Sequence, residues 1–237
     1  MTLSTAFVAV WCSSASFNWR VRWSSCSCRP PTQGSRPGAA FDALPRFPFL
    51  GLRYCGFALA GKRIEILREV VPSLRRVAIL ANVDNPLSVL ELGEVQAAAR
   101  TLGLEFDALE IRRAEDIVPA FEAIKGRAEA LYVCPDGLVD ANKIRINTLA
   151  LGARLPTMYA YREYVEAGGL ISYGANLPDL YRRSADYVDK ILRGAKPGDL
   201  PVEQPTKFDF IINLTTAKAL GIELLPTLLS RANEVIE

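Results

Sequence analysis

The chain has 237 residues, half of them apolar and under a quarter charged, which is enough for a sizeable core and ordinary for a globular protein. Twenty-eight basic and 26 acidic residues leave a net charge of +2, too little for a dedicated nucleic-acid or polybasic membrane binder. There is no histidine, so Ser-His-Asp and Cys-His catalysis, His-ligated metal or haem, and histidine pH switches are excluded.

Charge is unevenly spread. Residues 1–60 carry six Arg, no Lys and one acid, Asp42, together with all three Trp and four of the five Cys. No apolar period persists there, so 1–57 reads as a leader without a core of its own. The apolar run Thr5 to Cys12 has no preceding positive charge and is shorter than the roughly 20 residues that span a bilayer. It makes neither a convincing signal peptide nor a direct membrane insertion. Cys26-Ser-Cys28 lacks the further ligands that a tetrahedral metal site needs. Arg, Ser, Cys, Trp and Pro enrichment without Lys is also what a GC-rich gene read out of frame yields, and translating the other frames of the DNA tests that.

From Gly61 the chain becomes regular. Lys62 to Val71 places Ile64, Leu67 and Val71 on one helical face before Pro72. Arg76 to Ala81 is a continuous apolar run, as a strand covered on both faces requires. Asn85-Pro86 caps a helix along which Leu87, Leu90, Val95, Ala98 and Leu102 keep helical spacing up to Gly103. Leu104 to Ile111 is a second strand, Glu115 to Lys125 a helix, and Ala130 to Cys134 a third strand that breaks at Pro135-Asp136-Gly137. Asn142 to Ala153 is a third crossover helix, followed by the strand Pro156 to Ala160 and a short helix, Glu163 to Ala167. After Gly168-Gly169 come the strand Leu170 to Tyr173 and a long helix, Leu177 to Leu192, with Tyr181, Ala185, Val188 and Leu192 in line. This alternation predicts βαβ units on a parallel sheet, an α/β Rossmann-like fold.

Ligands of open α/β sheets bind beyond the carboxyl ends of the strands. The loops to watch are therefore Asn82 to Asn85, Pro135 to Gly137, Tyr159 to Arg162 and Ser172 to Asn176. Asn82, Asp84, Asn85, Asp136, Tyr159, Ser172 and Tyr173 are the candidate ligand-binding residues. Asn85 equally suits a helix cap, and Asp84 and Asp136 equally suit turns. Tyr159, Tyr161, Tyr164 and Tyr173 cluster at the same edge and can either pack or wall a small-molecule site. The chain has no GxG, no GxxxxGK[ST] and no GxSxG, so dinucleotide, P-loop and nucleophile-elbow signatures are absent. Cys134 ends an apolar strand and reads as a buried inert thiol. No catalytic, metal or cofactor constellation is visible, and the reading is binding rather than turnover.

Three stretches carry a family likeness: GKRIEILREVVPSLRRVAIL at 61–80, YREYVEAGGLISYG at 161–174 and LPVEQPTKFDFIINLTTAKALGIELLPTLLSRANEVIE at 200–237. Together they resemble one family of ABC-transporter substrate-binding proteins. The resemblance implies a type I periplasmic binding protein, in which two α/β lobes joined by a hinge close on a small ligand, in several members an aromatic amino acid. It implies transporter permease subunits as partners, no nucleic acid, and a periplasmic location. Asn82 to Asn85 matches the family's Asn-containing loop after the first strand of the second lobe. Asp136 matches an acidic residue in a strand-end loop, suited to a ligand ammonium. Ser172 and Tyr173 match the place where the chain crosses between lobes. Family members start with a signal peptide and a complete first lobe, whereas 1–57 resembles neither. The expectation is thus a second lobe, 58–237, with the first lobe largely missing. The segment 170–193 is expected to return to the first lobe, leaving its apolar side exposed. A ligand-sensing domain acting through protein partners and a doubly wound enzyme are the alternatives.

Overall fold

The computed structural model describes residues 59–201 and 203–237. The leader 1–57, its apolar run and the Cys26–Cys28 pair lie outside the described residues.

Two helices and a strand open the fold: α1 (Ala60–Val70), β1 (Arg76–Asn82) and α2 (Pro86–Thr101). After β2 (Glu105–Ile111) a single 3-10 turn at Ala114–Asp116 leads into α3 (Ile117–Ala123). The middle comprises β3 (Ala130–Val133), α4 (Gly137–Ala141), α5 (Lys143–Gly152), β4 (Thr157–Tyr159) and α6 (Arg162–Glu166). The last part holds β5 (Ile171–Ala175), α7 (Leu177–Leu192), β6 (Phe208–Asn213), α8 (Leu214–Leu220), α9 (Pro226–Leu229) and β7 (Glu234–Ile236). The strands form one seven-stranded sheet in the order β2-β1-β3-β4-β5-β6-β7. All neighbours are parallel except β5 and β6, which pair antiparallel from Ile171↔Ile212 to Ala175↔Phe208.

The apolar run of β1 is explained by burial on both sides. Val77, Ile79 and Ala81 point into a layer with α1, α2 and Ala217 of α8, while Ala78 and Leu80 point into one with α3 and α5. Alternate residues thus enter opposite layers, so no position from Val77 to Ala81 can be polar.

Packing corrects two expectations and adds to two others. The third crossover helix stands as expected, as α5, but a short helix, α4, precedes it, capped by the Asp136 side chain accepting the Leu138 N–H at 2.7 Å. On α2 the buried positions are Ser88, Glu91, Leu92, Val95 and Ala99, and Leu87 is 52% exposed. Two polar residues therefore hold core positions that the apolar spacing assigned to leucines. The strand at 170–173, expected to leave for another lobe, is β5 of this sheet, held in register between β4 and β6 and buried along most of its length. The apolar side of α7 is exposed, as expected for 170–193: of the line Tyr181, Ala185, Val188 and Leu192 only Val188 is half-buried, with Tyr181 at 44% and Leu192 at 82%. That helix buries only Asp179 and Tyr187 and adds no residue to either core layer. It is held instead by the returning chain, through Tyr187 Oη to the Pro201 carbonyl at 2.7 Å, Arg183 to Glu203, and Lys207 Nζ to Asp179 at 2.7 Å.

The polar residues of the core form one cluster. Arg63, fully buried, donates from Nη1 to Glu91 Oε1 (2.7 Å) and to Tyr132 Oη (2.9 Å), and from Nε to the Tyr173 carbonyl (2.7 Å). Tyr132 Oη donates in turn to Glu91 Oε1 at 2.6 Å. Burial pushes the Glu91 carboxyl upward, against the opposing pull of the Arg63 guanidinium and the Tyr132 hydroxyl. Removing one partner strands a buried charge, which costs about 3–5 kcal/mol. Glu91→Ala should therefore lower unfolding free energy by that order in urea titrations, whereas Arg63→Met with Glu91→Leu should recover most of the loss.

The glycines of the 161–174 stretch answer to close packing. A Cβ on Gly169 would lie 2.5 Å from the Tyr159 ring and 2.8 Å from the Tyr164 carbonyl oxygen, and one on Gly174 would collide with the Ala160 carbonyl. Gly174→Ala should destabilise by about 1–3 kcal/mol through forced backbone shifts, visible as a lower denaturation midpoint with an unchanged slope.

Candidate functional site

The carboxyl ends of β1, β3, β4 and β5 share one edge of the sheet, and the side chains there fall into two groups. The first surrounds Asp136. Asn82 Nδ2 donates to Asp136 Oδ1 at 2.9 Å, and Asn85 Nδ2 donates to Asp136 Oδ2 at 2.7 Å. The amides are themselves fixed by their oxygens: Asn82 Oδ1 accepts the Asp84 N–H, and Asn85 Oδ1 accepts the Leu87 N–H at the start of α2. Ser88, one turn into α2, accepts the Asn82 N–H at 3.2 Å, which accounts for its burial. Asn85 and Asp136 each cap a helix and also join the strand-end cluster: Asn85 caps with Oδ1 and donates to the cluster from Nδ2, whereas Asp136 Oδ1 both caps α4 and accepts from Asn82. Asp84 stands apart, exposed and paired with Arg112.

A shallow pocket forms the second group, between the end of β4 and the start of α7. Ala160, Tyr161, Arg162 and Glu163 line one side, and Ser172, Gly174, Ala175, Leu177, Pro178 and Asp209 the other. Arg162 is engaged by Glu166 at 2.8 Å and by Glu234 at 2.9 Å. Asn176 organises the far wall: its Oδ1 accepts the Asp179 N–H at 2.8 Å to cap α7, and its Nδ2 donates to both oxygens of Asp209.

Of the seven candidates, Asn82, Asn85 and Asp136 come together. Ser172 lines the pocket from a buried position, 1% exposed. Tyr173 is half-buried, its ring beside Phe208 and Phe210 and its carbonyl on Arg63. Tyr159 is corrected to a core residue. It is 1% exposed, stacks on Tyr164 with ring centroids 4.9 Å apart, and donates its hydroxyl to Asn147. Burial pushes both the Tyr159 and Tyr164 phenols upward, so neither ionises in the usual tyrosine range. Asp209 and Ser88 escaped the sequence reading because one sits in an alternating strand and the other inside a helix. Asn176 was signalled by its place after a strand and before Leu-Pro. Cys134 is buried, and burial pushes its thiol well up, away from the thiolate a nucleophile needs.

Residues 56–236 match the family described as ABC transporter substrate binding protein. The chain belongs to that family. A curated relative, the tyrosine-binding protein of Clostridioides difficile strain R20291, is 22% identical over 164 residues, covering 69% of this chain and 48% of its own length. Among solved structures, a conserved domain protein from Vibrio cholerae is 26% identical with a TM-score of 0.70, covering 74% of this chain and 60% of the other. An ABC domain in complex with L-Trp from Streptococcus pneumonia is 23% identical, also with a TM-score of 0.70, covering 75% and 60%. The chain thus spans about half the length of the curated relative it matches. The described residues form an α/β lobe of the type I periplasmic-binding-protein kind, and the family and these neighbours are binding proteins. No helix among the described residues is long and apolar enough to cross a membrane.

Asp136→Ala should remove the α4 cap and leave two amide groups without their acceptor, costing about 1–3 kcal/mol. Asp84→Ala, at an exposed ion pair, should stay within about 1 kcal/mol of wild type. Urea titrations of the two variants side by side check the difference.

Proposed function

We propose that the protein is the solute-binding component of an ABC import system and holds a small molecule, an aromatic amino acid, at the carboxyl edge of the sheet. The observation that carries this reading is the joining of Asn82, Asn85 and Asp136 by hydrogen bonds across two strand ends, on the same edge as the pocket beside α7. Polar groups fixed in place at such an edge bind without paying much further ordering entropy. Asn82, Asn85 and Asp136 form one contact region, Ser172 and the walls of the pocket a second, and Tyr173 supports the strand between the pocket and Arg63. Asp84 sits at the rim.

In this reading the protein works in the periplasm and delivers its ligand to permease subunits. The crossings on either side of α7 lead toward the other half of a two-lobed clamp. The curated relative's name and the L-Trp complex of a neighbour support aromatic amino acids as the first ligands to try.

A thermal-shift titration of the full chain with L-tyrosine and L-tryptophan tests the reading. A ligand that binds only the folded state adds about 2.7 kcal/mol at a hundredfold excess over Kd. The expected outcome is a concentration-dependent rise in melting midpoint, reduced in Asn82→Ala/Asn85→Ala. A midpoint that stays fixed with both amino acids at millimolar concentration would overturn it.

A further inference from the structure

We infer that Asp209 is the acceptor for a protonated primary amine in the pocket between β4 and α7, and that it, rather than Asp136, fixes the charged end of the ligand. The inference rests on the reading that this edge binds a small solute, and it names the chemistry that selects one.

Asp209 is half-buried on the pocket wall, and among the described residues its carboxylate accepts hydrogen bonds only from Asn176 Nδ2, at 3.1 and 2.9 Å. That partner is a neutral amide. Acidic neighbours are each matched by a cation: Asp179 by Lys207, Glu203 by Arg183 and Glu234 by Arg162. Among the described residues no cation lies within ion-pair reach of Asp209 or of Glu163 on the opposite rim. The one cation lining the pocket, Arg162, is taken by Glu166 and Glu234. The concavity therefore carries uncompensated negative charge beside the apolar surfaces of Tyr161, Leu177 and Pro178. A carboxylate has roughly four lone-pair directions, so Asp209 keeps room for a charge-assisted bond from an ammonium without releasing Asn176.

Asp136 is differently placed. It already accepts from Asn82, Asn85 and the Leu138 N–H. It also stands at the end of β3, three strand positions from β6, which is about 14 Å at the usual spacing. One ammonium cannot serve both carboxylates.

Calorimetric titration of the full chain with L-tyrosine, tyramine and 3-(4-hydroxyphenyl)propionate separates the outcomes. Wild type should bind the two amines at least about tenfold more tightly than the deaminated acid, the scale of one charge-assisted hydrogen bond. Asp209→Asn keeps an oxygen for Asn176 and should melt as wild type does, yet lose the preference for the amines. A preference that survives Asp209→Asn, or that Glu163→Gln abolishes instead, overturns the assignment to Asp209 while leaving the binding reading intact. Failure of wild type to bind any of the three overturns both.

Discussion

The buried Arg63–Glu91 pair ties together the elements behind the carboxyl edge of the sheet. Arg63 comes from α1, Glu91 from α2, Tyr132 from β3, and the carbonyl that completes the cluster from Tyr173 on β5. Four elements distant in sequence thus meet on one guanidinium. A buried ion pair is weak as a source of stability, because desolvation cancels much of the Coulomb attraction. Its effect lies in direction: a planar donor with bonds to three acceptors fixes where α1, α2 and the end of β5 stand relative to β3. The same Arg63 lies under Gly174, whose missing side chain lets the β5 backbone approach the Ala160 carbonyl. Pocket and core polar cluster therefore share a wall.

That arrangement also accounts for the residues by which the family is recognised. In YREYVEAGGLISYG Tyr161, Arg162, Glu163, Ser172 and Gly174 line the pocket, and several of the others serve packing. Tyr164 stacks on Tyr159, Gly169 leaves space for the Tyr159 ring, and Gly174 admits the Ala160 carbonyl. A motif of this kind reports how β4, α6 and β5 are pressed together rather than which molecule is bound. In the assignment proposed above, ligand choice falls to a side chain that this packing leaves open, Asp209.

Strand and helix order was legible because burial on both faces makes parallel strands continuously apolar, and because Asn85-Pro86 and Asn176-Leu-Pro announce helix starts. The Asn82, Asn85 and Asp136 grouping was legible for a related reason: polar residues directly after apolar strands converge once the strands are parallel. What stayed hidden depends on distant partners. Glu91 and Ser88 look like solvent-facing helix residues until Arg63 and the Asn82 N–H are seen to meet them. Tyr159 looks like an edge aromatic until Asn147 and Tyr164 enclose it. The antiparallel pairing of β6 hid Asp209, since only a strand running backwards brings its second residue to the carboxyl edge of the others.

That reversal has a mechanical consequence. Because β5 ends and β6 begins at the same edge, the chain leaves the sheet and returns to it at adjacent points, where the Asn176 N–H bonds the Lys207 carbonyl at 3.0 Å. Asn176 then divides its side chain between the two sides of this junction, capping α7 with its oxygen and holding Asp209 with its nitrogen. Leu177 and Pro178, the first turn of α7, form part of the pocket wall. With α7 absent from both core layers, its position depends on polar contacts with the returning chain rather than on apolar packing. The pocket is thus shaped on one side by the end of β4 and on the other by a helix that belongs to neither core layer. A ligand bridging Glu163 and Asp209 would bind both walls at once, so its affinity would depend on the angle of α7, which is the differential contact that a conformational change requires.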